Sequence, residues 1–239
     1  MNTQKKNYAL PIAMMFALFF MIAFVTGLQN PMGVIVKNQF GASNFLSQLG
    51  NFANFLAYAF MGIPAGLLLQ KIGYKKTALA AIAIGFIGVA ITFLSGQVEN
   101  FSVYLFGAFI SGFSMCMLNT VVNPLLNGLG KDEKKGNQLL QFGGTLNSLG
   151  ATIVPVLVGY LMGSDEATRT IAKANPALFL AMAIFILAFL VLFFVNIPEP
   201  HIAKEKAAVK DNHSALSFRH FVLGMIAIFI YVGVEVGIM

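Results

Sequence analysis

Between Tyr8 and Asn196 the sequence returns six times to an apolar run, approximately 8–36, 45–69, 77–96, 101–128, 138–162 and 176–196, with only short polar connections between them. Each is near or above the roughly 20 residues that a helix needs to cross the hydrocarbon core of a bilayer. Backbone groups in lipid must find partners inside the segment, which favours a helix for every such run. The runs therefore predict an all-α membrane protein. A seventh run opens near Phe221 and is still apolar at Met239. The first is too long for the apolar region of a signal peptide and no small-residue cleavage site follows it, so it is read as a span.

Composition excludes a soluble alternative. A chain of 239 residues that is 58% hydrophobic and 10% charged, with mean hydropathy +0.79, carries more apolar surface than one water-soluble core can hide. The net charge of +6 could suit a nucleic acid, but the basic residues lie between apolar runs and not on a soluble domain, so no nucleic-acid partner is expected. Cys116, the single cysteine, falls in an apolar run and reads as a small buried hydrophobe. His201, His213 and His220 share one polar segment without metal-ligand spacing, so neither metal nor cofactor is expected.

Lysine and arginine orient the spans. Lys5, Lys6, Lys71, Lys75, Lys76, Lys131, Lys134, Lys135, Lys204, Lys206, Lys210 and Arg219 fall in one set of connections, twelve against the three of the opposite set, Lys37, Arg169 and Lys173. The excess places the first set, and the N-terminus, in the cytoplasm, with the bacterial inner membrane as the expected location. The expected plan is a six-helix half over 1–197, a polar cytoplasmic linker over 198–220, and from 221 to 239 the start of a seventh helix belonging to a second half otherwise missing.

Helical spacing divides the spans into two kinds. Asn44, Ser47, Asn51, Asn54 and Tyr58 advance by three and four and share one face of the second span, as do Gln138, Gln141, Thr145, Ser148 and Thr152 in the fifth. Thr26, Asn30 and Gly33 share a face of the first span that continues to Lys37, beside Gln29, and Asn119, Asn123 and Asn127 recur by four in the fourth. The third and sixth runs have no polar side chain away from their ends and are expected to face lipid on every side. A lone Ser or Thr is most simply interhelical glue, but an amide in hydrocarbon is costly unless partnered, and four aligned stripes predict a polar cavity bounded by spans 1, 2, 4 and 5. Asn30-Pro31 is matched by Asn123-Pro124, each in the first helix of a three-helix unit. Proline frees a carbonyl that a wet cavity can satisfy, and matched interruptions are what an internally repeated transporter shows at its binding site, a packing kink being the alternative for either proline alone.

The segment IPAGLLLQKIGYKK (63–76) resembles the loop between the second and third helices of the major facilitator superfamily. FFMIAFVTGLQNPMG, SMCMLNTVVNPLLNGLG, GGTLNSLGATIVPVLVG and YVGVEVG together are similar to its fucose-proton symporter branch, which includes bacterial glucose/galactose permeases. The resemblance implies two six-helix halves, each a 3+3 inverted repeat, alternating access, and a sugar path lined by helices 1, 2, 4 and 5. It also implies a gating loop at Gly66, Gln70, Lys71, Gly73 and Lys75, where Gly66, Gly73 and Lys75 match and Gln70 replaces the usual acid. Proton-coupled members of the branch carry Asp at the position of Asn30 and Glu at that of Asn119. Amides do not titrate, so neither residue takes up a proton, although both can hydrogen-bond sugar hydroxyls.

Thr26, Gln29, Asn30, Asn51, Asn54, Tyr58, Asn119, Asn123, Gln141, Thr145, Asn147 and Ser148 are accordingly the expected substrate-binding residues. Glu235 alone among the nine acids lies deep in a run, roughly 20 Å past Phe221 at about 1.5 Å per residue. It is the coupling candidate, as a proton site or a carboxylate held ionised by sodium, with a structural partner or the cavity mouth as the plainer alternatives. The acids of DEKK (132–135) and SDEA (164–167) read as solvated. The whole points to a secondary active transporter of a small neutral sugar, a hexose such as glucose, galactose or fucose, with proton or sodium as coupling ion and the bilayer as surroundings. The alternatives are an uncoupled sugar facilitator and a non-transporting seven-helix receptor or photoreceptor; against the latter, the seventh run has no lysine for a retinal Schiff base. No span holds a histidine, paired acids or a metal-ligand pattern, so an enzyme is not expected. With one half and a stub, the 239 residues alone are not expected to transport.

Overall fold

The computed structural model describes residues 8–162, 170–199 and 217–238, with the side chains of Asn30 and of residues 232, 233 and 235–238 outside that description. Lys5, Lys6, the SDEA acids, Arg169, His201, Lys204, Lys206, Lys210 and His213 lie outside it as well. The described chain is helical: α1 (Ala9–Phe40), α2 (Asn44–Ser47), α3 (Leu49–Ile72), α4 (Tyr74–Gln97), α5 (Phe101–Gly128), α6 (Glu133–Met162), α7 (Ile171–Phe194) and α8 (Arg219–Ile238). Six of these, α1 and α3 to α7, are long and apolar enough to cross a membrane. They belong to one compact unit, Met1–Ile202, and α8 belongs to a second, Ala203–Met239.

Caps explain where the helices depart from the expected runs. Ser43 accepts a hydrogen bond from the Leu46 N–H at 3.3 Å and so opens α2, a single turn that ends before α3 restarts at Leu49. The second polar stripe is thus divided, with Asn44 and Ser47 on α2 and the remainder on α3. Asp132 is no bare solvated charge: its Oδ1 accepts from the Lys135 N–H at 2.7 Å, so α6 begins five residues before the apolar run. Thr170 caps α7, and the Ile171 N–H donates to Gln39 Oε1 of α1 at 2.8 Å, so Pro176 falls inside the helix instead of opening it. Pro31 and Pro124 also lie inside unbroken helices, so the matched Asn-Pro pairs interrupt hydrogen bonds without interrupting the spans.

α5 sits at the centre, packed on α4 and α3 and also touching α1 and α6, while α1 pairs with α6 and α4 with α7. The expectation that the third and sixth runs face lipid on every side is corrected here. α4 buries Ala78, Ala81, Gly85 and Gly88, and α7 buries Leu178, Ala181 and Phe185. A run without polar residues can still own a partner face, because glycine and alanine let backbones approach closely. A Cβ on Gly88 would stand 2.7 Å from the Ser111 backbone nitrogen, and Ser114 Oγ reaches across to the Ala81 carbonyl at 2.6 Å.

Candidate functional site

Tyr58 lies nine residues from the start of α3 and Asn119 nine from the end of α5, roughly 14 Å into each helix at about 1.5 Å per residue. The two meet there: Asn119 Nδ2 donates to the Tyr58 hydroxyl at 3.1 Å and to the Met115 carbonyl at 3.1 Å. Both residues are half-buried, so the pair stands at the edge of the packed interior. One turn on, Asn123 Nδ2 returns to the Asn119 carbonyl at 3.0 Å.

Among the described residues three amides have a buried atom without a partner, Asn54, Gln29 and, on α7 away from the expected lining, Asn175. Asn54, 3% exposed, has a buried Nδ2 without a hydrogen bond, and on α1 the buried Gln29 Oε1 likewise lacks one. A donor on α3 and an acceptor on α1 are thereby left for something else to satisfy, which is unusual because buried polar groups are nearly always paired. Asn51 is occupied locally, donating to Gln48 Oε1 at 3.1 Å, and Thr26 bonds the Ile22 carbonyl of its own helix at 3.0 Å. Asn30 lies on the same helix, its side chain outside the described residues.

On α6 the expected stripe is open, with Gln138, Gln141, Thr145, Ser148 and Thr152 all exposed. The threonine hydroxyls bond back to Gln141 and Ser148 carbonyls at 3.0 Å each, which leaves the Gln138 and Gln141 amides and the Ser148 hydroxyl as the outward-facing groups. Asn147 does not join them. One position from Ser148 is about 100° around a helix, and there its Nδ2 donates to the Phe19 carbonyl of α1 at 3.2 Å, making it interhelical glue.

The expected gating loop is helical except at one residue: Gly66 and the exposed Gln70 and Lys71 belong to the last turns of α3, Lys75 to the first turn of α4, and only Gly73, at φ +86°, lies between them; nothing lies within 4 Å of where a Gly66 Cβ would be. Sequence reading passed over this loop's partner, Glu199, whose carboxylate accepts from the N–H groups of Tyr74 and Lys75. The available signal was its place between two prolines, Pro198 and Pro200. A hollow of about 510 Å³ lined by Pro124, Asn127, Gly128, Gly130, Asp132 and Glu133 marks the α5–α6 turn, beyond the Asn119–Tyr58 pair. Among the described residues no cluster of His, Cys, Asp or Glu could hold a metal. Glu235 is in α8, its side chain outside the described residues.

The family model described as Major Facilitator Superfamily matches residues 15–239. The glucose/galactose transporter of Brucella abortus is 32% identical over 244 residues, covering 99% of this chain and 58% of that protein. A putative glucose/galactose transporter of Helicobacter pylori is 30% identical across 98% of this chain and 59% of that protein, and the L-fucose-proton symporter of Escherichia coli 26% across 97% and 58%. The chain thus spans about three-fifths of the length of these relatives, at 58 to 59%. The crystal structure of the transporter FucP in the outward conformation superposes with a TM-score of 0.68 at 22% identity, over 92% of this chain and 56% of that one, a likeness of fold.

Proposed function

The chain belongs to the Major Facilitator Superfamily, and on that premise we propose that its polar helix faces bind a small neutral sugar, a hexose such as glucose, galactose or fucose, and carry it across the membrane by alternating access. The reading rests on the Asn119–Tyr58 pair, held at 3.1 Å between helices whose central turns carry no Asp, Glu, Lys, Arg or His. Amides and a phenol offer donors and acceptors without net charge, which matches hydroxyl groups and rejects phosphates and carboxylates. The relatives named as glucose/galactose transporters and as L-fucose-proton symporters support the same class. Thr26, Gln29, Asn30, Asn51, Asn54, Tyr58, Asn119, Asn123, Gln141, Thr145 and Ser148 are the proposed lining, with Asn147 holding α6 to α1 behind it. Multi-pass insertion in an inner membrane with a cytoplasmic N-terminus, the linker over 198–220, and a gating role for the loop from Gly66 to Lys75 belong to the same proposal.

Coupling is assigned to Glu235, with proton or sodium as the ion. The amides at Asn30 and Asn119 favour a second reading, an uncoupled facilitator, because neither can exchange a proton. Membrane vesicles from cells expressing a full-length transporter that contains these residues, given labelled glucose, galactose or fucose outside under imposed proton or sodium gradients, separate the two. Gradient-driven accumulation that Glu235→Gln abolishes supports coupling, and equilibration under both gradients supports the facilitator. Absence of saturable hexose binding and of uptake refutes the sugar assignment.

A further inference from the structure

α7 ends in an extended segment that alternates like a strand. Val195, at φ −76° and ψ 130°, and Ile197 are buried, whereas Asn196 between them is exposed. The alternation directs the next residue of that parity, Glu199, inward as well. Pro198 fixes its own φ, and Pro200 restricts Glu199 to extended conformations, so the side chain is aimed before it meets a partner.

That partner is the start of α4. Glu199 Oε2 accepts from the Tyr74 N–H at 2.7 Å and Oε1 from the Lys75 N–H at 3.0 Å, one carboxylate spanning the first two amides of a helix. Such amides have no partner inside their own helix, and the positive end of the helix dipole favours an anion there. Gly73 makes the approach possible, since a Cβ at that position would lie 2.8 to 2.9 Å from the carboxyl atoms of Glu199. The contact is reciprocated: Lys75 Nζ donates to the Phe193 carbonyl at 2.8 Å, a cation on the negative end of α7. Each helix end therefore receives the charge that complements it from the other.

We infer that Glu199 is a positioning residue, a clasp that pins the chain leaving α7 to the turn between α3 and α4. Residue 199 is thereby held beside that turn. This rests on the transporter reading only for its consequence, that releasing the clasp slows turnover and leaves sugar affinity unchanged. The clasp itself is tested without any sugar.

Hydrogen–deuterium exchange at the Tyr74 and Lys75 amides is compared in the intact protein, Glu199→Ala, Glu199→Gln and the conservative Glu199→Asp. Loss of the charge-assisted bonds is expected to accelerate exchange about tenfold in the first two variants, with partial recovery in the third. Gly73→Ala should accelerate exchange more than Glu199→Ala, because at φ +86° the alanine is strained in addition to displacing the carboxylate. In vesicles the expected result is a several-fold lower turnover at unchanged sugar affinity, improved by Glu199→Asp. Unchanged exchange in Glu199→Ala, or parallel loss of affinity and turnover that Asp does not rescue, would each overturn the inference. If the unaltered protein handles no hexose, the transporter reading fails and the exchange measurement still decides the clasp.

Discussion

Asn54→Leu tests whether the polar face is maintained at the expense of stability. Asn54 is 3% exposed, and its Nδ2 has no hydrogen-bond partner. A buried donor left unsatisfied destabilises by about 1–3 kcal/mol, and replacing it with an apolar group of similar volume removes that term. The site is tight, since a Cβ on Gly112 of α5 would fall 2.6 Å from the Ala57 Cβ and 3.0 Å from the Asn54 Cα. Because leucine is branched where asparagine is planar, a repacking loss of up to about 1 kcal/mol offsets part of the gain. The expected net effect is stabilisation by about 1 kcal/mol, read as a melting temperature a few degrees higher in detergent, with at least tenfold weaker hexose binding in the same preparation. Asn54→Ala controls for volume and should destabilise. A leucine variant less stable than the parent by more than about 1 kcal/mol refutes the reasoning, for the donor is then satisfied in the folded protein. Stabilisation with full retention of hexose binding removes Asn54 from the proposed site.

Gly88→Ala should destabilise by about 1–3 kcal/mol relative to Gly62→Ala, because its Cβ would press on the Ser111 backbone at 2.7 Å whereas nothing lies within 4 Å of the Gly62 position. The comparison cancels the helix-propensity gain common to both, and equal melting temperatures would refute the claim of backbone contact between α4 and α5. Tyr58→Phe removes the acceptor of the 3.1 Å bond from Asn119 and should destabilise by about 0.6–1.7 kcal/mol while weakening hexose binding. Loss of stability with binding intact would make the pair structural.

The spans were legible because bilayer thickness writes itself into sequence as runs of about 20 apolar residues. The α6 stripe was legible for a related reason: exposure and polarity recur with the helical period, and Gln138 to Thr152 obey both. Asn147 was not, since an asparagine that bonds a neighbouring helix and one that faces outward have the same composition and differ only by the angle of one residue. The packed face of α4 escaped for the opposite reason. Periodicity detects contrast between polar and apolar positions, and Gly85 and Gly88 set among Ala and Ile produce almost none. Glu199 was hidden by distance in sequence, since its partners Tyr74 and Lys75 lie 125 and 124 residues earlier.

α5 links these features, because it makes close glycine contacts on both sides and adds a polar bond on one of them. Toward α4 it is sealed by glycine and serine, with Gly107 against Thr92, Ser111 against Gly88 and Ser114 on the Ala81 carbonyl. Contacts of that kind depend on separation so steeply that a gap of about 0.5–1 Å forfeits a quarter to a half of their attraction, which makes α4 and α5 a single rigid wall. Toward α3 the junction includes the amide–phenol bond, and a sugar hydroxyl can replace either member at little net change in hydrogen bonding. On the proposed reading, a ligand at this junction would exchange only the amide–phenol bond and leave the glycine contacts on both sides of α5 in place. α3 ends at Ile72, directly before the turn at Gly73 that Glu199 approaches, so on the same reading an adjustment of α3 at Tyr58 would pass along the helix, beyond Pro64, to that turn.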